Sequence, residues 1–118
     1  MTNRFKQERS FEDRKKLVKT VKESYPDCVP VIIQNRNDKT CMKFLPKFYV
    51  PWSTLVLTCR QKISDLNSYQ NISLLVEYNN KFSSPSLSDT VGNVYEGNHD
   101  EDGFLYVYYC VENVFGFL

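Results

Sequence analysis

The stretch Tyr25-Pro26-Asp27-Cys28-Val29-Pro30-Val31-Ile32-Ile33 switches the chain from a helical to an extended period. Upstream of it, Phe11, Arg14, Val18, Val21 and Tyr25 recur three or four positions apart, with Leu17 beside them, which predicts one face of an amphipathic helix. Ser10 followed three residues later by Asp13 reads as its N-cap with a weak capping box, and Pro26 cannot continue the helix. A short helical or extended arm, Thr2 to Gln7, is expected before it. Downstream, Cys28 to Gln34 is apolar and β-branched and predicts a strand. Pro30 lacks an N–H, which predicts an edge strand or an irregular start.

Further along, Asn35-Arg36-Asn37-Asp38 has turn chemistry, and Cys41 to Leu45 reads as the return strand of a hairpin. Ser53 is expected to cap a helix from Thr54 to about Ile63 with Leu55, Val56, Cys59 and Ile63 inward. Ile72 to Tyr78 is too short for a helix and predicts a core strand, closed by a turn at Asn79-Asn80. Ser88-Asp89 opens a short helix with Val91, Val94 and Tyr95, Gly97 to Gly103 reads as a solvated acidic turn, and Phe104 to Val111 is the last strand. The order is helix, two strands, helix, strand, short helix, strand. It predicts an α+β sheet with helices on one side, in the element order of a ubiquitin-like β-grasp.

A chain of 118 residues holds one domain, and its 42% hydrophobic and 25% charged residues exclude wholesale disorder. No apolar run approaches the roughly 18–20 residues that span a bilayer. Met1 to Ser10 is charged and lacks an apolar core, so a signal peptide is not expected and the cytosol is the default compartment. Cys28, Cys41, Cys59 and Cys110 are widely spaced without a CxxC pair, and His99 is the one histidine. Reduced, mostly buried thiols and no metal or other cofactor are the expectation. His99 beside Asp100-Glu101-Asp102 reads as part of the solvated turn, and no Cys–His or Ser–His–acid set exists from which to build an enzyme. Trp52, Tyr106, Tyr108 and Tyr109 read as core and interface packing. Asn71-Ile72-Ser73 matches a glycosylation sequon but falls in a core strand.

The formal net charge of +1 hides a division: residues 1–62 carry 14 Lys and Arg against 6 Asp and Glu, and residues 63–118 carry 1 Lys against 8 acids. Such a split gives a basic and an acidic face. A solvated helix face is one reading; an acidic peptide or an anionic membrane is the other, and nucleic acid is not expected at a pI near 7.6.

Several motifs in the right order carry a family resemblance. They are Phe11-Glu12-Asp13-Arg14, Tyr25-Pro26-Asp27-Cys28-Val29-Pro30-Val31-Ile32-Ile33, Lys43-Phe44-Leu45, Val94-Tyr95-Glu96, Asp100-Glu101-Asp102-Gly103-Phe104-Leu105-Tyr106 and Glu112-Asn113-Val114-Phe115-Gly116. Together they make the chain resemble the autophagy ubiquitin-like modifiers, the GABARAP and microtubule-associated-protein light-chain family, from about Phe5 to Gly116. The resemblance implies a β-grasp core (27–116) with two additional N-terminal helices (1–26) and a C-terminal dipeptide (117–118) removed on processing. A cysteine protease is then expected to cut between Gly116 and Phe117. Ubiquitin-type activating and conjugating enzymes would join Gly116 to phosphatidylethanolamine, so this chain is a substrate, a monomer before conjugation, cytoplasmic first and on the autophagosome membrane afterwards.

The resemblance further implies capture of aromatic-x-x-aliphatic peptides of cargo receptors, added as a strand beside the second strand. The aromatic pocket maps onto Val21, Pro30, Ile32, Lys43, Leu45 and Phe104, and the aliphatic pocket onto Phe44, Leu45, Val50, Leu55, Thr58 and Cys59. Lys43 and the first-helix basic residues would meet the peptide's acids. Core packing is the plainer role for the apolar members. Cys28, Leu17, Pro46-Lys47, Thr58 and Cys59 depart from the family pattern, which predicts altered peptide preference. A soluble, non-conjugated peptide-binding adaptor, for example one bound to acidic cytoskeletal tails, is the alternative.

Overall fold

The computed structural model describes residues 3–36, 49–66 and 71–111. Asn3 caps α1 (Arg4–Glu8) by accepting from the Lys6 N–H, so the N-terminal arm is helical. Ser10 Oγ accepts from the Asp13 N–H and opens α2 (Phe11–Ser24), as its sequence predicts; Tyr25 is the C-cap, one residue before Pro26.

β1 (Cys28–Asn35) then runs into the middle of a sheet rather than along an edge. Cys28–Pro30 pair antiparallel with β2 (Tyr49–Pro51), and from Val31 the ladder is parallel to β5 (Leu105–Val111). Pro30 stands where pairing passes from one neighbour to the other, a position that tolerates a missing donor. The antiparallel partner of β1 among the described residues is thus Tyr49–Pro51; the expected return strand Cys41–Leu45 lies outside them.

The next helix, α3 (Val56–Leu66), starts two residues later than expected and is not capped by Ser53. Leu55 is held extended in a bridge to Thr90, the Val56 N–H donates to the Asp89 carbonyl, and the Val91 N–H to the Thr54 carbonyl. Those long-range bonds outcompete the local cap. β3 (Ile72–Tyr78) falls where it was predicted, and Asn79 and Asn80 take φ of 51° and 63°, the left-handed pair of a tight hairpin turn. The turn leads into a strand not foreseen, β4 (Lys81–Ser83). α4 (Val91–Asn98) is capped by Thr90, which accepts from the Asn93 N–H, and not by Ser88. Asp89 supports the cap by accepting from the Thr90 N–H and the Asn93 amide.

The strands order as β2-β1-β5-β3-β4, with β1 parallel to β5 and the other pairs antiparallel. The period-two alternation of strands splits the core. Val29, Val31, Ile33, Leu105 and Val107 face α3 and α4 with Val56, Ile63, Val91 and Val94. Ile32, Tyr106 and Tyr108 face the other way, with Phe5 of α1, Val18 of α2 and Phe104. This is an α+β ubiquitin-like β-grasp, with helices on both sheet faces and not on one side as the element order suggested, because Phe5 of α1 and Val18 of α2 cover the apolar residues of the second face. Cys28, Cys59 and Cys110 are free and half-buried, less covered than expected.

Trp52 lies across α4. A Cβ added to the buried Gly92 would sit 2.2 Å from its indole nitrogen, and its ring meets Tyr95 edge-on at 5.9 Å. Gly92→Ala is therefore expected to expel the indole, destabilising the fold by about 1–3 kcal/mol and shifting the emission of the single tryptophan to the red. Urea unfolding followed by fluorescence measures both.

Candidate functional site

The described members of the expected aromatic pocket lie on α2, on β1 and just before β5. Pro30 and Ile32 lie two apart on one face of β1, Val21 is half-buried on α2, and Phe104 precedes β5. Ile32 and Phe104 are covered, 1% and 0% exposed, and belong to the cluster that Phe5 closes, its ring edge-on to Phe104 at 5.4 Å. They form the floor of this side and not its mouth.

On the α3 side, Val50 and Cys59 are half-buried walls of a narrow apolar cavity of about 20 Å³, shared with Val31, Val56 and Pro85. Burial pushes the Cys59 thiol above its usual pKa against the opposing charge of Lys62, which leaves it protonated and apolar in character. Leu55, 41% exposed, and the exposed Thr58 stand outside that cavity. Lys43, Phe44, Leu45, Gly116 and Phe117 lie outside the described residues. β2, at one end of the strand order, lies between the two groups. An extended peptide added at such an edge gains main-chain hydrogen bonds, with side chains on either side setting preference.

Sequence reasoning missed two features here. Tyr49 of β2 stacks on Tyr25 at 4.0 Å and 15°, directly beyond Val21 and opposite Pro30. Tyr25 stands at the helix-to-strand switch, but nothing local to Tyr49, 24 residues on, marks it as the partner.

The second feature overturns the reading of Gly97 to Gly103 as a solvated acidic turn. Asp102 is 2% exposed. Its carboxylate accepts from Arg14 Nε at 2.8 Å, the Phe104 N–H at 2.8 Å and the Tyr106 hydroxyl. Burial first, then that carboxylate, raises the Tyr106 phenol far above its ordinary pKa and keeps it a donor. Arg14 also donates to the carbonyls of Arg9 at 2.7 Å and Lys6 at 3.2 Å, which ties α1 to α2. Lys6 reaches Asp100 at 2.7 Å and lies over the Tyr106 ring. Arg14, a charge on an otherwise apolar helical stripe, was the available signal. The basic residues Lys15, Lys16, Lys19 and Lys22 remain on the exposed side of α2.

A β-grasp sheet carrying two N-terminal helices places the chain among ubiquitin-like proteins. Comparison with known proteins narrows this. The family model for "Autophagy protein Atg8 ubiquitin like" matches residues 13–116. An autophagy-related protein 8-like protein of Dictyostelium discoideum is 32% identical over 98% of this chain and 95% of its own length. Autophagy-related protein 8e of Arabidopsis thaliana is 34% identical over 95% and 92%, and autophagy-related protein 8 of Mycosarcoma maydis is 35% identical over 98% of both. The crystal structure of Trypanosoma brucei ATG8 superposes with a TM-score of 0.76 at 25% identity, covering 98% of this chain and all of that one. The chain belongs to the Atg8 family of ubiquitin-like autophagy proteins.

The Lys6–Asp100 contact gives a pH test. Burial pushes Asp100 up, but the Lys6 hydrogen bond, the Asp102 N–H and the Lys6 and Arg14 charges outweigh it and hold the carboxyl below its ordinary value. A depressed folded pKa contributes stability that is present above the unfolded value, about 3.9, and is lost as pH falls through the folded one. Lys6→Met should therefore cost about 1 kcal/mol or less at pH 7 in urea unfolding, and the gap to the parent should shrink below about pH 4.

Proposed function

We propose that this chain is a lipid-conjugated modifier of the GABARAP and light-chain type, with a helical subdomain (1–26), a conjugated core (27–116) and a dipeptide (117–118) that is removed. The observation that carries this reading is the extent of the family match, which ends on Gly116 with Phe117 and Leu118 beyond it. Glycine suits the chemistry. Without a Cβ its carbonyl enters a narrow protease cleft and is approached by a cysteine thiolate. The freed carboxylate is activated as an adenylate, held as a thioester on a conjugating enzyme, and taken by the amine of phosphatidylethanolamine. Every catalytic group in that sequence belongs to partner enzymes. The chain itself is not an enzyme. It is cytoplasmic and monomeric until the lipid carries it to the autophagosome membrane.

The same body recruits cargo receptors through aromatic-x-x-aliphatic peptides. Val21, Pro30, Ile32, Phe104, Lys43 and Leu45 serve the aromatic anchor. Phe44, Leu45, Val50, Leu55, Thr58 and Cys59 serve the aliphatic one. Exposed basic residues of α2 favour peptides with acids before the aromatic residue. The narrow volume beside Cys59 supports a preference for a small or slender aliphatic anchor over a bulky one.

Two measurements test these readings separately. Gly116→Ala should leave the full-length mass intact in starved cells and keep the protein in aqueous fractions, while the parent loses two residues and partitions with membranes. If both behave alike, the chain is the soluble adaptor. In calorimetric titration, an acidic aromatic-x-x-aliphatic peptide should saturate the purified chain, and replacing its aromatic residue by Ala should weaken binding by about 2 kcal/mol or more. No saturable binding at millimolar peptide contradicts the recruiting role.

A further inference from the structure

We propose that Ser84 is an acceptor site for a proline-directed serine/threonine kinase and that Arg60 holds the phosphoryl group once it is attached. Ser84-Pro85 is the one Ser-Pro or Thr-Pro step in the sequence. It lies in an irregular segment between β4 and α4, with Ser84 exposed. The proline biases the residue before it toward extended backbone, the form in which a substrate segment enters a kinase cleft.

What distinguishes Ser84 from its neighbours is what stands across from it. Ser84 and Pro85 line an open polar cavity of about 300 Å³ together with Arg60, Gln61 and Ser64 of α3 and with Asn71 and Ser73. Among the described residues Arg60 is the one charged side chain in that lining, and none of them brings a carboxylate there to compete for it. Among the described residues Arg60 makes no ion pair. A neutral serine hydroxyl gives it little to bind. A phosphoserine brings about −1.5 to −2 charges and three acceptor oxygens, which a planar guanidinium grips two at a time. The nearby serines are placed differently: Ser86 and Ser88 bond to each other at 3.0 Å, and Ser83 is paired in β4 with Val76.

The transfer balances with a nucleoside triphosphate as co-reactant. Ser84 Oγ attacks the γ-phosphorus and forms the new O–P bond while the bond to the β,γ-bridging oxygen breaks. The hydroxyl proton passes to the kinase's base and a nucleoside diphosphate leaves. Pro85 also walls the apolar cavity beneath β2 beside Val50 and Cys59. A phosphate clamped by Arg60 therefore fixes one wall of that cavity without touching its interior.

The test treats the full chain with ATP and a purified proline-directed kinase that is active on a control Ser-Pro peptide. One phosphoryl group is expected, located on Ser84 by fragment masses, with incorporation into Ser84→Ala and Pro85→Ala falling to background. In ³¹P titration, the second ionisation of the phosphoserine, ordinarily near about 6, should lie lower in the parent than in Arg60→Gln, with Arg60→Lys between them. Failure to incorporate phosphate, or incorporation on another serine, overturns the acceptor assignment. Equal titration midpoints in the parent and Arg60→Gln overturn the assignment of Arg60.

Discussion

One carboxylate with no exposed side-chain surface, that of Asp102, ties the N-terminal helices to the sheet. An ionised group removed from water must be surrounded by donors, and the chain supplies them from three separate places: Arg14 of α2, the backbone before β5, and Tyr106 within β5. The same guanidinium uses a second nitrogen, Nη1, to donate to carbonyls at and just beyond α1. Such a pair adds less to net stability than its geometry suggests, because both ions are desolvated. What it fixes is position: few other placements of α2 satisfy every one of these groups at once.

That position organises the rest. With Arg14 anchored, Val18 falls against Gly103, whose φ of 96° suits glycine and whose missing Cβ leaves room for the valine 2.7 Å from where it would stand. One turn further, Val21 reaches the side of β1, and Tyr25 meets Tyr49 of β2. Phe5 is drawn in behind and closes the aromatic cluster over Ile32 and Phe104. The basic side chains Lys15, Lys16, Lys19 and Lys22 are left exposed on α2, the helix whose C-cap Tyr25 stacks on β2. Charge, apolar surface and a strand edge thus come together through a contact that touches none of them directly.

Strands with strong local patterns were legible. Ile72–Tyr78 and Cys28–Asn35 are dense in β-branched and large apolar residues, and the Ser10 cap of α2 rests on neighbours three residues away. Local chemistry misled where distant bonds prevailed. Ser53 and Ser88 resemble caps, yet the pairing of 54–57 with 87–91 delays both helices. Pro30 resembles an edge residue because nothing in its neighbours shows that β5, more than seventy positions away, lies alongside the next residue. The acidic run at 100–102 looks solvated for the same reason, since the cation that buries its last member is 88 residues away. Of the candidate site, Val21, Pro30, Ile32 and Phe104 were named from the family resemblance, and nothing in their local sequence alone singles them out from core residues. The Tyr25–Tyr49 stack was not named, because it depends on Tyr49 pairing opposite Pro30 in β1, a contact 19 residues apart in sequence that no local pattern marks.

A double-mutant cycle on Arg14 and Asp102 measures the central contact most directly. The single variants Arg14→Met and Asp102→Asn and the double variant would be compared with the parent by urea unfolding at neutral pH. Each single change should be severe, about 3 kcal/mol or more, and the double variant should cost far less than their sum, because removing one partner strands the other. Additive, small effects would mean that the carboxylate does not hold the helices, and the account of how the site is positioned would be wrong.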